Sequence, residues 1–417
     1  MSLDHDCPIT QASCPRARHR ERSPSRIHCC LPVVSKSPDA MSPKWSQRPL
    51  RLIYILLIAP PTMVASLLRI VFLSIAPRTR PNPRWSFRQS FMVQLVKTVV
   101  NVQSTLRWSR PLSLLLETEG DRFVVVPPAD KRRFHGPCDD EVVRPGLVGT
   151  TWTPPPVTAR ARHPEDLLVV LHLHGGAYVV GAGRDADMGF GVRTMLRNMP
   201  CTHVCSPQYR LSGSRDAGGR FPAALQDAVS SYAHLLHDLN IPASRIVLSG
   251  GSAGGNIVLA LLRYIATWGA EADLPWPRSA LLWSPWADVA GAQNSAGIRK
   301  RRNYATDLLP SSFIQWGAEA LTGNGPVSAK SPWISPMTGN FRSGAPIWVQ
   351  TCTHELLFDE NLQLVEWLRE AGSDVEQYVV EDAPHDPILL GDLAGFEEEA
   401  VRCAKDAARF LERTARR

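Results

Sequence analysis

The chain has 417 residues, of which 44% are hydrophobic and 20% are charged, and its formal net charge is +7. This length suits one large α/β domain with additional segments, and the composition excludes a collagen, a coiled coil, a multi-pass membrane protein and a wholly disordered chain. The positive charge is confined to residues 1–135, which hold 21 Lys and Arg against 8 Asp and Glu, whereas residues 136–417 hold 25 against 31. Because the body of the protein is acidic, we expect no nucleic-acid partner.

Nine cysteines are scattered along the chain, and their spacing gives no pair of C-x-x-C motifs. This pattern predicts free thiols rather than a structural zinc site. The first thirty residues contain no apolar stretch of the signal-peptide type. We therefore expect an intracellular protein that needs neither metal nor cofactor. It is either cytoplasmic or anchored to an internal membrane, facing the cytosol or the lumen.

The N-terminal part of the chain divides into two segments. Residues 1–49 contain seven prolines among many serines and arginines, so we predict a disordered basic leader. Residues 50–84 are apolar, and their uncharged run Leu52–Leu68 has the minimum length for spanning a bilayer. We expect Pro60–Pro61 to break a helix near its middle. Three interpretations of residues 52–76 stay open: a membrane anchor that spans or lies in the interface, a helix packed over the rest of the protein, or a targeting element.

The remainder of the chain has the pattern of an α/β fold. Helical spacing of apolar residues runs from Trp85 to about Leu116, and short apolar runs then alternate with helix-like stretches. The alternation predicts a mostly parallel sheet covered by helices on both faces. The predicted strands are Phe123–Val126, Leu147–Trp152, Leu167–Leu173, Thr202–Ser206, Arg245–Leu248, Ala280–Trp283, Ile347–Thr351 and Val375–Val380. The predicted helices are Ala223–Leu239, one beginning near Ser252, Asn361–Ala371 and Gly395–Leu411.

The most specific motif is G-x-S-x-G at residues 250–254, with Ser252 at its centre. It follows a predicted strand and precedes a predicted helix, which is the context in which this motif carries a nucleophilic serine. Small neighbours permit a strained backbone at the serine, and the N-terminus of the following helix favours a developing anion. A second glycine-rich stretch, His174-Gly175-Gly176-Ala177, follows the strand Leu167–Leu173. Such a loop can bring backbone N–H donors close to a substrate carbonyl.

A serine hydroxyl needs a base and an orienting acid, which follow it in the order Ser, Asp or Glu, His in this type of fold. We assign Ser252 as the nucleophile and His385, which follows the strand Val375–Val380, as the base. Glu355 follows the strand Ile347–Thr351 and is assigned as the acid, with Asp359 as the alternative. Carboxyl ends of parallel strands meet at one edge, so these side chains are expected to lie together.

In these motifs the sequence resembles the hormone-sensitive-lipase-like branch of the α/β-hydrolase superfamily, the HGG-bearing esterases and lipases. The resemblance covers roughly residues 140–411. It is carried by seven ordered motifs: HGGAY from His174, YRL from Tyr209, FPAALQD from Phe221, SAGGN from Ser252, SPWAD from Ser284, ELLFDE from Glu355 and PHD from Pro384.

The resemblance implies an α/β-hydrolase fold with a helical cap. Residues 85–139 would supply the N-terminal cap helices, and residues 140–417 the catalytic domain, with a cap insertion at about 290–325. It also implies oxyanion donors at the backbone N–H groups of Gly176 and Ala177, with Gly175, and of Ala253.

Two residues depart from the family pattern. Gly251 stands where the family usually has Asp, and we expect this change to alter the rigidity of the turn more than its chemistry. Glu355 stands where Asp is commoner, and a glutamate can orient the imidazole equally well.

The expected function is cleavage of carboxylic esters, with short-chain or hydrophobic acyl groups, without metal or cofactor. The ester would be a small molecule, such as an acetyl ester or a specialised metabolite. An amide or formamide hydrolase of the same fold, and a non-catalytic ligand-binding member, are the alternatives. A homodimer through the sheet edge or the cap, and membrane association through residues 52–76, stay open.

Overall fold

An eight-stranded sheet forms the centre of the protein in the computed structural model, which describes residues 44–158, 164–213 and 217–415. The strands lie in the order β1-β2-β4-β3-β5-β6-β7-β8. The pairings of β1 with β2 and of β2 with β4 are antiparallel, and all the others are parallel. The strands are β1 (Phe123–Val126), β2 (Val148–Thr153), β3 (Val169–Leu173), β4 (His203–Gln208), β5 (Ile246–Gly251), β6 (Ser279–Trp283), β7 (Ile347–Cys352) and β8 (Val375–Val380). The mostly parallel sheet expected from the sequence is confirmed.

The central strands are apolar because helices cover both of their faces. Every residue of β3, β5, β6 and β7 is buried, as expected for strands in the interior of a parallel sheet. Helices α5 and α6 pack together on one face, and α4 and α11 pack together on the other. The α-helices are α1 (Leu50–Ile53), α2 (Ala59–Ile75), α3 (Phe87–Thr105), α4 (Asp185–Asn198), α5 (Ala223–Ala233), α6 (Ala253–Trp268), α7 (Ser295–Arg299), α8 (Ser311–Thr322), α9 (Phe358–Glu370), α10 (Pro387–Ala394) and α11 (Glu397–Thr414).

The predicted elements agree with the structure best within the sheet. Strands β1 and β8 have the predicted bounds, whereas β4 and β5 each extend further, to Gln208 and Gly251. The helical stretch predicted to reach Leu116 ends at Thr105, because Arg107 adopts a left-handed φ of 45° that a helix cannot continue through. Helices α4, α8 and α10 were not predicted from the apolar pattern.

The predicted leader falls almost wholly outside the described residues, but the apolar segment after it lies within them. Residues Leu50–Ile75 form one helix, in which a π-helical turn at Tyr54–Ile58 joins α1 to α2. The expectation that Pro60–Pro61 breaks this helix is therefore wrong. The wider turn, closed by an Ala59 N–H that donates to the Tyr54 carbonyl, accommodates the loss of two N–H donors. The hydroxyl of Thr62 donates to the Ile58 carbonyl at 2.7 Å and satisfies it.

Residues 80–85 attach the apolar helix to the body of the protein. Arg80 donates to the carbonyls of Ser74, in the last turn of α2, and of Trp85. The Trp85 indole is buried and donates to the carbonyl of Asp382. The side chain of Asn82 donates to Asp382 at 3.1 Å and contacts His354 at 3.3 Å. The helix is thus fixed to the loops that follow β7 and β8.

The substitution Trp85→Ala tests this attachment. It removes a large buried side chain and leaves the Asp382 carbonyl without its donor, so we expect a loss of about 3–5 kcal/mol in the free energy of unfolding. Urea unfolding followed by circular dichroism measures the loss, and limited proteolysis should show new cleavage before residue 87. Trp108→Ala is the matched control, since Trp108 is 53% exposed. Equal losses in the two variants would contradict the assignment.

Candidate active site

The strand β5 ends in a sharp turn that presents Ser252. The serine has φ 51° and ψ −114°, a conformation that costs free energy in any residue other than glycine. Three backbone hydrogen bonds hold it there: its N–H donates to the Trp283 carbonyl at 2.9 Å, and its carbonyl accepts from Asn256 and Trp286 at 3.1 and 3.0 Å. The next residue, Ala253, begins α6, so the serine lies at the N-terminus of a sixteen-residue helix.

Glycine at position 254 allows this turn to sit against the end of β3. A Cβ atom on Gly254 would lie 1.9 Å from the Leu173 carbonyl oxygen, so only glycine permits the approach. On the other side of the serine, a Cβ built on Gly175 would lie 3.4 Å from the Ser252 Cβ. The glycine-rich loop and the nucleophile turn are therefore in contact.

The loop after β3 passes through a run of residues with positive φ. Gly176, Ala177 and Tyr178 all have positive φ, at 111°, 50° and 65°. The turn is closed by the N–H groups of Val179 and Val180, which both donate to the Gly176 carbonyl at 3.0 Å. Among the backbone hydrogen bonds of the described residues, the amides of Gly176 and Ala177 close no part of this turn. These two groups, with Ala253, are the candidate donors to an oxyanion.

Tyr178 and His174 fix the loop from both ends. The Tyr178 hydroxyl donates to the Asn256 side chain at 2.6 Å, which joins the loop to α6. The ring of His174 stacks on Tyr209 with centroids 4.2 Å apart. Burial lowers the pKa of His174 to about 4, so its ring is neutral at pH 7, and its Nδ1 donates to the Gly175 carbonyl at 2.7 Å. His174 is therefore a structural part of the loop and carries no charge.

The acid and the base assigned from the sequence meet in the interior. Nδ1 of His385 donates to Oε2 of Glu355 at 2.8 Å, and both side chains are almost completely buried. The other oxygen of Glu355 accepts from the Thr351 hydroxyl, from the Cys352 N–H at 2.9 Å and from the Asn361 amide at 3.4 Å. Nε2 of His385, on the opposite side of the ring, is buried and has no hydrogen-bond partner among the described residues.

Electrostatics make His385 a strong base. Burial lowers the pKa of His385, but the hydrogen bond and charge of Glu355, together with the charges of Asp307 and Asp386, outweigh it and raise the pKa to about 9. The alternative acid Asp359 lies at the surface, where its carboxylate pairs with Arg302 at 3.1 Å. The structure thus places Glu355, and not Asp359, against the imidazole.

A segment of the insertion, residues 301–307, is bonded to the loop that carries Glu355. The Asn303 amide donates to the carbonyls of Thr353 and Glu355, each at 2.9 Å. The Thr306 hydroxyl donates to the His354 carbonyl at 3.0 Å. The carboxylate of Asp307, which is fully buried, accepts from the Leu356 N–H. We call this segment the acid-loop clasp.

Helix α3 holds the acid-loop clasp from its other side. Lys97 lies over the Tyr304 ring, 3.9 Å from its centroid, and donates to the Tyr304 carbonyl. Gln94 donates to the carbonyl of Ala305 at 3.1 Å. Both parts of the predicted cap, the N-terminal helix and the insertion, are therefore connected to the acid of the site.

Several residues of the site were not predicted from the sequence. Thr351 and Asn361, which hold Glu355, and Asn303 and Asp307 of the acid-loop clasp carry no motif of their own. Asp386 follows His385 directly, and its position inside the PHD motif is the one signal that could have identified it. The described residues contain no group of three or more His, Cys, Asp and Glu side chains arranged to hold a metal ion.

Comparison with known proteins identifies the family and the fold. The alpha/beta hydrolase fold family matches residues 170–389. This range contains all the site residues described above except Gln94 and Lys97 of α3. The acetyl-hydrolase of Streptomyces hygroscopicus is 31% identical over 236 residues, which are 56% of this chain and 71% of that protein. The ethyl acetate hydrolase of Pseudomonas putida is 26% identical over 236 residues, 56% of this chain and 70% of that protein. A solved structure, a hormone-sensitive lipase from a metagenome library, has a TM-score of 0.52 at 22% identity and covers 64% of this chain and 82% of its own.

The pKa of His385 gives a direct test of the acid. In Glu355→Gln the imidazolium loses its charged partner, so we expect its pKa to fall from about 9 to near or below 6.5. Titration of the His385 ring by NMR measures the change. Asp359→Asn is the matched control and should leave the pKa unchanged. A fall in the control variant and none in Glu355→Gln would reverse the assignment.

Proposed function

The chain belongs to the α/β-hydrolase fold family and is a carboxylic ester hydrolase, and we propose that it removes short acyl groups from small-molecule esters through Ser252, His385 and Glu355. The observation that carries the proposal is the buried hydrogen bond between Glu355 and His385 Nδ1, which leaves Nε2 of the ring without a partner among the described residues. The preference for short acyl groups is supported by the two relatives named for acetyl esters.

Each residue has a distinct part in the proposed reaction. The Ser252 hydroxyl attacks the ester carbonyl while His385 Nε2 takes its proton, and Glu355 stabilises the imidazolium that forms. The negatively charged carbonyl oxygen accepts hydrogen bonds from the backbone N–H groups of Gly176, Ala177 and Ala253, with Gly175. The intermediate then collapses, the alcohol leaves with the proton from His385, and an acyl group stays on Ser252. Water, activated by the same imidazole, releases the acid and restores the serine.

A series of p-nitrophenyl esters from C2 to C16 tests this reaction. We expect the highest kcat/KM at the shortest acyl groups. We expect Ser252→Ala to lower kcat by roughly four or more orders of magnitude, because no nucleophile remains. Labelling by a fluorophosphonate probe should disappear in the same variant. Ser312→Ala, at a half-buried serine of α8 whose hydroxyl donates to Asn101 of α3, is the control and should keep both activities.

The two alternatives from the sequence give different results in this experiment. An amide hydrolase of the same fold would label with the probe and cleave p-nitroanilides faster than the matched esters. A ligand-binding member would cleave neither, and its ligand affinity would survive Ser252→Ala. Either result would overturn the proposed ester cleavage.

We further propose that the helix Leu50–Ile75 inserts into a lipid bilayer. It has 26 residues, and a stretch of 18 of them has a mean hydropathy of 2.0. At 1.5 Å per residue the helix is about 39 Å long, which exceeds the roughly 30 Å of a hydrocarbon core. Consecutive pairs such as Leu56–Leu57 and Leu67–Leu68 are exposed although their side chains point 100° apart. The exposed apolar surface is thus wider than the single stripe with which a helix packs on a protein.

Charge and position both favour a membrane as the partner. Residues 40–116 contain Lys and Arg but neither Asp nor Glu, which suits anionic headgroups. The residues that follow the helix are bonded to Asp382 and His354, in the loops that carry the base and the acid. Insertion of the helix would therefore hold the catalytic edge of the sheet close to the bilayer, where lipophilic esters dissolve.

Flotation with vesicles of phosphatidylcholine, with and without phosphatidylserine, tests the insertion. We expect the full chain to float with both and the double variant Leu57→Arg/Leu68→Arg to stay in solution, because charges at the bilayer centre cost about 2.5–3.5 kcal/mol each. Val142→Arg is the control, since Val142 is equally exposed but lies in a loop of the catalytic domain. Sedimentation of the wild-type chain as a dimer without vesicle binding would instead assign the helix to a contact between copies.

A further inference from the structure

Asp386, the residue after His385, occupies the N-cap position of α10 without capping it. Its backbone is left-handed, with φ 49° and ψ 72°, and its side chain accepts no hydrogen bond from the first turn of the helix. An aspartate at an N-cap normally accepts such a bond and stabilises the helix by about 1 kcal/mol. Its backbone N–H is held instead by the Ser284 hydroxyl at 3.1 Å. The N–H groups of Ile388 and Leu389, in the first turn of α10, lower the pKa of the carboxyl group, but neither makes a capping hydrogen bond with it.

The carboxyl group of Asp386 is buried and unpaired. The residue is 1% exposed, and neither of its carboxyl oxygens has a hydrogen-bond partner among the described residues. A buried carboxyl without partners is costly, and such groups are rare outside functional sites.

The neighbour of this carboxyl group is Gly251, the residue before the nucleophile. Gly251 ends β5 and does not have a positive φ, so its backbone would accept any residue. A Cβ atom there, however, would lie 2.3 Å from Oδ2 of Asp386, and the three nearest atoms all belong to that carboxyl group. The space beside Gly251 is thus taken by the Asp386 carboxyl group, and the backbone of the turn does not itself need glycine there.

We propose that Asp386 is a positioning residue for the reaction: its carboxylate fills the space beside Gly251, and its negative charge supports the imidazolium that forms on His385. This inference rests on the proposed hydrolysis through Ser252. It explains why position 251 is glycine where the family usually has Asp. The carboxylate of Asp386, in the loop that carries His385, fills the space beside this glycine.

The groups around Asp386 determine when it is charged. His385, Glu355, Cys352 of β7 and Cys403 of α11 face it, and burial raises the pKa of both thiols, so they stay neutral. Burial also raises the pKa of Asp386, and Glu355 adds to that rise, while His385 and nearby backbone N–H groups oppose it; the pKa is about 7. The carboxyl group therefore becomes an anion as the pH rises through neutrality.

A double-mutant cycle tests the contact with Gly251. We expect Gly251→Ala to lower kcat more than about tenfold in the wild-type chain, because the new methyl displaces the carboxylate or the nucleophile turn. In the Asp386→Gly background, where glycine tolerates the left-handed φ, the same alanine should cost less than about threefold. Equal losses in both backgrounds would overturn the contact.

The pH dependence of kcat/KM tests the charge. The activity should rise with pH as His385 loses its proton, with a midpoint that a nearby negative charge raises. Asp386→Asn keeps the shape and removes the charge, so we expect the midpoint to move to lower pH by about half to one unit, and kcat to fall about tenfold. Asp227→Asn, at a buried aspartate paired with Arg210 far along the chain, is the control and should leave the midpoint in place. An Asp386→Asn profile that coincides with that of the wild type would overturn the role of the charge.

The two proposals fail in distinguishable ways. If the wild-type chain cleaves no ester and Ser252 does not label, the proposed function fails. The urea midpoints of the four proteins of the cycle, which are the wild type, Gly251→Ala, Asp386→Gly and the double variant, then still report on the contact. A midpoint that falls with Gly251→Ala in the wild type but not in Asp386→Gly supports the contact, and equal falls refute it.

Discussion

The hydrogen bond between Glu355 and His385 joins two ionisable groups in the interior, and the organisation of the site follows from the cost of placing them there. Burial removes both from water, which costs several kcal/mol per ion unless other groups replace the lost hydration. Thr351, the Cys352 N–H and Asn361 supply that replacement on the carboxylate. In the part of the chain that the structure describes, no equivalent group is bonded to Nε2 of His385. The His385 imidazole therefore has one nitrogen, Nε2, that can exchange a proton with a group other than Glu355.

The same constraint explains why the site is assembled from so many parts of the chain. A buried carboxylate tolerates little movement, since a change of 1 Å would leave it without its donors. The loop of Glu355 is accordingly bonded to the insertion by Asn303, Thr306 and Asp307. The loop of His385 is bonded to residues 82–85. Helices that look peripheral in the sequence thus serve the geometry of two side chains.

The sequence predicted the parts of the site that depend on strand ends. Ser252, Glu355 and His385 each follow an apolar run, and parallel strands bring such positions to one edge whatever the details of packing. The choice between Glu355 and Asp359 could not be made in this way, because both follow β7 and they are about one helical turn apart in the sequence. It is decided by α9, which begins at Phe358 and turns Asp359 toward solvent. Asn303 was out of reach for the related reason that its partners, the carbonyls of Thr353 and Glu355, lie 50 and 52 residues away.

The insertion contacts the site at two points, and this limits how the protein can diversify. The acid-loop clasp holds Glu355. Gly317 of α8 packs on the glycine-rich loop after β3, where a Cβ atom on Gly317 would lie 2.4 Å from the Ala177 carbonyl oxygen. Exchange of the insertion between homologues would therefore have to carry residues 301–317 as one unit together with matching loops on the sheet. The half-buried Gln315 and Glu319 of α8 are bonded to each other, and Glu319 also pairs with Arg107, which follows α3. A change of the insertion therefore alters two attachments at once, one to the loops of the sheet and one to the N-terminal part of the chain.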